Sequence, residues 1–207
     1  MTSPLQNRVD PYGCIHAVPN RGTMFGNRGG RFHNPATQSL SQRRWHSRQW
    51  ICCVLEFKNR RRTLMTQSYT ELFFLDEITA LAAGHRPCFE CRRKSALAYQ
   101  AAWQIAGSMI DPPKAPEMDK ILHEERLNGK YPKTWEEHIE QLPPGATIKY
   151  QNKPYALLRE YMLPWSFEGY GLPVNKPTGR TTVLTPPSTI AVLKHGYKPQ
   201  WHRSAKI

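Results

Sequence analysis

Five cysteines in a chain of 207 residues are an odd number for disulfides, and two of them form Cys88-Phe89-Glu90-Cys91 directly after Pro87. Two thiolates three positions apart in a tight turn can reach one metal ion. Arg92, Arg93 and Lys94 follow at once, and cations there lower thiol pKa values and favour the thiolate that a metal needs. A structural zinc site takes four ligands, so two more are required. Cys52-Cys53 lies on a β-prone run whose adjacent side chains face opposite ways, so only one of the two can reach the ion. Cys53 is the choice, because it shares a face with Leu55 and Phe57 in register with a sheet packed on the knuckle helix. The fourth ligand stays open among His33, His85, Cys52 and Cys14, and His33 would tie the N-terminal segment to the core. The assigned set for Zn2+ is Cys53, Cys88, Cys91 and His33. A redox pair or inert buried thiols are the alternative for Cys88 and Cys91.

The elements that must position this knuckle can be read on either side of it. Residues 73–75 form a short apolar strand, Asp76 is a good N-cap with Glu77 in the first turn, and Gly84 can take the left-handed conformation that stops a two-turn helix. Pro87 forbids continuation. Residues 73–93 resemble the second half of the zinc-binding domain at the N-terminus of Ada-type DNA methyl-repair proteins. An aromatic strand, a short Ala-rich helix ending in Gly and Arg-Pro-Cys-x-x-Cys occur there in the same order. The resemblance spans about a tenth of the chain. In that family a first Cys-x-x-x-Cys pair precedes the strand, and one of its thiolates takes a methyl group from a damaged backbone phosphate. That pair is absent here, and Cys52-Cys53 stands further upstream; what the resemblance implies is metal binding and DNA as the target.

Charge points the same way. The net charge is +13, and residues 1–62 hold eleven Lys or Arg against Asp10 and Glu56. Ten of the eleven are Arg, whose planar fork suits phosphate, interleaved with Phe25, Phe32, Trp45 and Trp50, which suit base stacking. Nucleic acid is the expected partner, DNA before RNA, with Arg28, Arg31, Arg43, Arg44, Arg86, Arg92 and Arg93 as the contacting residues. A basic solvated face or an acidic lipid surface is the alternative. The glycines of residues 22–33 let backbone N–H groups approach an anion beside Arg28 and Arg31, which reads equally as a phosphate cradle or a flexible loop.

Residues 1–47 read as a basic Gly/Arg-rich segment of loops with one hairpin. Residues 48–110 read as the metal-binding core: a strand over 49–57, a turn at 58–61, a return strand over 62–65, a third strand over 69–75 and a helix over 94–106. Residues 111–141 read as a helical connector, with helices over 117–127 and from Thr134, where Thr134-Trp135-Glu136-Glu137 resembles a capping box. His123-Glu124-Glu125 lacks the second His a turn later that a metalloprotease needs. Residues 142–207 read as a β-rich lobe with strands over 146–150, 155–159, 162–165 and 181–184 and a short helix that starts at Thr185-Pro186-Pro187-Ser188 and ends at Gly196. Its aromatics Trp165, Phe167, Tyr170, Tyr197 and Trp201 are read as core before stacking platform.

The fold class is therefore α+β: a small antiparallel sheet with a zinc knuckle and packed helices, plus a small β-rich C-terminal lobe. No apolar leader or membrane-length run appears, so a soluble cytoplasmic protein is expected. The function expected is zinc-containing nucleic-acid binding. The alternatives are a nucleic-acid-acting enzyme, either methyl-accepting or using metal-assisted hydrolysis, and a protein-interaction scaffold. No Ser/His/Asp order, paired-carboxylate motif or His-x-Glu base-deaminase signature is visible, and no catalytic residue is assigned.

Overall fold

The computed structural model describes residues 3–60 and 63–206. Two sheets divide the chain. Strands β1 (Arg8–Val9), β2 (Ile15–His16), β3 (Met24–Arg28), β4 (Trp50–Val54), β5 (Leu72–Phe74) and β6 (Arg86–Pro87) form the first, in the order β2-β1-β5-β3-β4-β6. Residues 22–33 are thus no simple loop. β3 is an interior strand, paired antiparallel with β4 from Met24↔Val54 to Arg28↔Trp50 and with β5 on its other side. Its central Gly26 is where a Cβ would stand 2.2 Å from the Ile51 carbonyl oxygen, so only glycine lets the ladder close. β3 takes the place beside β4 that residues 62–65 were expected to fill. Residues 64–69 form turns and bends, while Arg61 and Arg62 lie outside the described residues.

Helix α1 (Glu77–Ala82) follows β5. Asp76 caps it, accepting the Thr79 backbone N–H at 2.9 Å, and Gly84 ends it at φ +75°. α1 lies on one face of the first sheet, where Val9, Met24, Cys52, Leu72 and Phe74 pack with Ala80 and Ala83. Helices α2 (Arg93–Ala106) and α3 (Ala115–Arg126) come next, then a hairpin of β7 (Leu127–Asn128) and β8 (Tyr131–Pro132).

The second sheet holds β9 (Trp135–His138), β10 (Thr147–Tyr150), β11 (Lys153–Leu157), β12 (Tyr161–Ser166), β13 (Gly169–Tyr170) and β15 (Arg180–Val183), with β14 (Val174–Asn175) paired to β12. The helix expected from Thr134 is the strand β9. Its neighbour β15 offers a complete antiparallel ladder, Val183↔Trp135 to Arg180↔His138, and Trp135 Nε1 donates to the Thr185 carbonyl at 2.9 Å. Tertiary pairing outweighs the local capping signal.

Helix α4 (Pro187–Lys194) closes the chain's last third. One core joins Leu81 of α1, Tyr99 and Trp103 of α2, Met118 and Leu122 of α3, Val192 of α4 and Ile148, Leu157 and Val183 of the second sheet. α3 is accordingly part of this core, not a connector. Tyr170 and Tyr197 are buried, and Trp165 and Trp201 pack against the same interior, so these aromatics are core. Among the described residues no helix is long and apolar enough to cross a membrane.

Candidate metal centre

Three of the assigned ligands converge. The sulfurs of Cys53, Cys88 and Cys91 all lie within 4.8 Å of one another. Parallel pairing of β4 with β6 sets Cys52 against Pro87, and the Cys88 backbone N–H donates to the Cys52 carbonyl at 3.0 Å. That register carries the chain past Pro87 with Cys88 beside Cys53. The knuckle then turns tightly: the Arg92 N–H donates to the Cys88 carbonyl at 3.0 Å and the Glu90 N–H to the Cys88 sulfur at 3.4 Å. Cys91 returns to the trio just before α2 begins at Arg93.

The thiols share protons. Cys88 is held well below its ordinary thiol pKa, first by the hydrogen bond from Cys53 and then by that from Cys91, helped by the N–H groups of the knuckle. Cys53 is driven far up by its hydrogen bonds with Cys88 and Cys91 and by burial. The three thiols are thus linked through their S–H protons, with Cys88 the one shifted toward the thiolate. A divalent cation replaces such protons well. Tetrahedral Zn–S bonds of about 2.3 Å place sulfurs roughly 3.8 Å apart, which this spacing accommodates. The all-sulfur donor set suits zinc, copper(I) or iron–sulfur chemistry and excludes a hard cation.

The fourth ligand expected from the sequence is not there. His33 is buried at the far side of its own loop, where Nδ1 meets Thr70 Oγ1 at 2.8 Å and Nε2 meets the Thr66 carbonyl at 3.0 Å, so both ring nitrogens are occupied. His85 lies between the Trp50 and Phe74 rings and takes the Arg28 Nε–H at 3.3 Å. Cys52 faces the other side of the sheet, fully buried, with burial raising its thiol pKa. Cys14 is exposed on another surface. Among the described residues no fourth His, Cys, Asp or Glu joins the trio. Cys53 was chosen for a sheet face packed on the knuckle helix, but α1 packs on the Cys52 face, and Cys53 looks the opposite way.

What Cys53 looks into is a cleft of about 220 Å³. The three cysteines line it together with Phe25, Tyr69, Phe73 and Glu71. Glu71 is the residue sequence reading missed. It is fully buried, its Oε2 accepts the Met65 backbone N–H at 2.7 Å, and among the described residues its Oε1 has no hydrogen-bond partner. Its place one residue before β5, on the Phe73 side of the alternation, was the available signal. Arg21 lies over the Phe73 ring at 4.6 Å, and Arg60 pairs with Glu90 at the surface.

Of the seven arginines expected to hold nucleic acid, three are committed inside the fold. Arg86 forms a buried bidentate pair with Asp119 at 2.9 and 2.7 Å, and Arg92 another with Glu77 at 2.8 and 2.7 Å. Arg28 is buried against Trp50. The Arg86 and Arg92 forks are thereby committed to carboxylates and are not presented to a polyanion. Arg31, Arg43 and Arg93 are exposed and Arg44 is half-buried. Arg31 and Arg43 border an open groove with Trp45 and His46.

No protein-family model, curated protein or solved structure gives a significant match to this chain. Function is therefore argued from the site itself.

Proposed function

We propose that this protein holds a zinc ion on Cys53, Cys88 and Cys91 and acts as a hydrolase on a planar, nucleobase-like group of a nucleic-acid substrate. The observation that carries the reading is the convergence of three sulfurs, without a fourth donor among the described residues, in the wall of a cleft that also holds the half-satisfied carboxylate of Glu71. Three protein ligands with one position left to water or substrate is the pattern of catalytic rather than structural zinc. Three thiolates beside a glutamate that is not a ligand is a donor set of zinc enzymes that deaminate bases. In those enzymes the glutamate stands two residues after a ligand; here position 55 is Leu55, and Glu71 comes instead from the lead into β5.

When bound, the ion supplies Lewis acidity at one end of the cleft. The chain's own residues supply the rest. The Met65 N–H fixes one oxygen of Glu71, leaving Oε1 to accept or deliver a proton. Phe25, Tyr69 and Phe73 give the cleft an aromatic wall that suits a planar substrate and excludes bulk water. Arg21 adds a cation suited to an anionic substrate.

X-ray absorption at the zinc edge of the loaded protein tests this. Three sulfur scatterers and one lighter atom are expected, unchanged in Glu71→Gln; a four-sulfur shell, or a lighter atom lost with Glu71, overturns it. A second reading, structural zinc in a nucleic-acid-binding protein, is favoured by the groove between Arg31 and Arg43, where Trp45 lies beside exposed cations.

A further inference from the structure

The first sheet has a second cavity on its opposite side, of about 250 Å³, which shares no lining residue with the thiol cleft. Arg28, Arg44 and Arg126 line it with Trp50, and Lys130 and Lys133 stand exposed beside them. Arg28 and Arg126 are only 2% and 5% exposed, and both guanidinium carbons sit within 4.0 Å of the Trp50 ring centre.

These cations differ from the other buried arginines of the fold. Arg86 and Arg92 each grip a carboxylate, whereas among the described residues neither Arg28 nor Arg126 forms an ion pair. Arg28 donates to the carbonyls of Gly13 at 2.8 Å and Arg44 at 3.3 Å and to His85. Arg126 donates to the carbonyls of Gly84 at 2.6 Å and Arg48 at 2.7 Å and meets His123 at 3.1 Å. Carbonyl dipoles only partly compensate two charges that repel each other. Two buried guanidinium nitrogens of this cluster, Arg126 Nε and Arg44 Nη1, have no hydrogen-bond partner among the described residues. Buried charges are ordinarily paired, and an unpaired one is strongly destabilising. Burial, with the neighbouring Arg44, pushes Arg28 down to about 9, outweighing the opposing influence of Cys14 and Asp10, neither of which pairs with it directly.

We infer that this cavity is an anion site for a phosphate group, either free phosphate or a phosphomonoester. Planar guanidinium forks match phosphate oxygens bidentately, and three arginines with two lysines provide the charge that a dianion takes. Trp45 and Tyr12 in the lining give an attached planar ring a surface to rest on. The inference does not rest on the thiol site, since no residue is common to the two.

The test is a titration of the full chain, followed by tryptophan fluorescence and melting temperature, with inorganic phosphate and with a nucleoside 5′-monophosphate against chloride at equal ionic strength. Saturable quenching and a rising melting temperature are expected from at least one phosphate probe and not from chloride. Tighter binding of the monophosphate assigns the site to phosphomonoesters; binding of phosphate alone assigns it to the free ion. Arg44→Gln should weaken binding about tenfold, one charge-assisted contact being lost, and Lys133→Gln by about threefold. Arg126→Met should abolish the phosphate-dependent rise; in phosphate-free buffer the removal of an unpaired charge offsets the loss of its bonds to the Gly84 and Arg48 carbonyls. Should Arg126→Met fail to fold, Arg44→Gln and Lys133→Gln decide alone. No saturable response in wild type, an equal response to chloride, or unchanged binding in both of those variants would overturn the inference.

Discussion

Cys52 and Cys53 are chain neighbours whose environments have nothing in common. Strand alternation sends Cys52 into the apolar face under α1 and Cys53 into the thiol cleft. The difference gives a sharp expectation. Cys53→Ser should lose bound zinc to a weak competing chelator, while Cys52→Ala should keep about one equivalent and instead lose roughly 1 kcal/mol or more of stability through its small cavity. Metal analysis after dialysis, paired with urea unfolding, separates the two; equal zinc loss in both variants would remove Cys53 from the site. Glu71 belongs to the same scale. Glu71→Gln keeps the Met65 contact through its amide oxygen but cannot exchange a proton, so metal content should stay and hydrolysis of a responsive substrate should fall by about 10²-fold or more.

Between elements, the firmest tie is Arg92 to Glu77. Arg92 sits at the N-cap position of α2 and Glu77 opens α1, and the same carboxylate also takes the Tyr197 hydroxyl at 2.6 Å and the Gln200 N–H at 2.8 Å. One buried anion thus joins the knuckle, the first helix and the C-terminal tail. Arg92→Met should cost about 3–5 kcal/mol, because it leaves Glu77 buried without its cation; chemical denaturation measures it, and a loss under about 1 kcal/mol would show that the pair is replaceable. This is also the scale at which legibility changed. The helix from Asp76 to Gly84, α2 to Gly107 and the four principal strands of the second sheet were readable from caps, glycine stops and apolar spacing, which are local signals. β3 and β9 were not, since their strand state depends on partners distant in sequence, β5 and β15. In the site, Cys88-x-x-Cys91 was legible as a motif, and alternation required that only one of Cys52 and Cys53 face it, but which one depended on the side of the sheet that α1 covers. Glu71 was not, because a lone glutamate before a strand announces nothing until the fold places it beside sulfur.

Taken whole, the molecule spreads +13 over a surface from which several arginines have been withdrawn into the interior. If Arg31, Arg43, Arg44 and Arg93 are the phosphate contacts, the log–log salt dependence of DNA affinity should have a slope of about −3.6, at −0.9 per contact. Filter binding across a salt series measures it, and a slope near zero removes the polyanion surface. The same interior charge sets the response to acid. His85 is held well below its ordinary pKa by burial and then by the nearby Arg28 and Arg126, and His123 is lowered to about 4 by partial burial and then by Arg126, Arg48 and Arg43. A histidine depressed in the folded state binds fewer protons there than in the unfolded chain. Its stability contribution is therefore intact above about pH 6.5 and is lost as pH falls toward the folded value. For fully buried His85 the slope reaches about 1.4 kcal/mol per pH unit; half-buried His123 contributes less. Asp10, Asp76, Asp119 and Glu125 are raised, chiefly by burial, and gain on protonation, opposing this trend at the acid end. Comparing variants isolates the histidine part: urea midpoints from pH 7.5 to 5 should fall more steeply in wild type than in His123→Gln. Parallel curves would mean that His123 takes up its proton as readily in the fold as out of it, and that neither its partial burial nor the arginines around it hold it neutral.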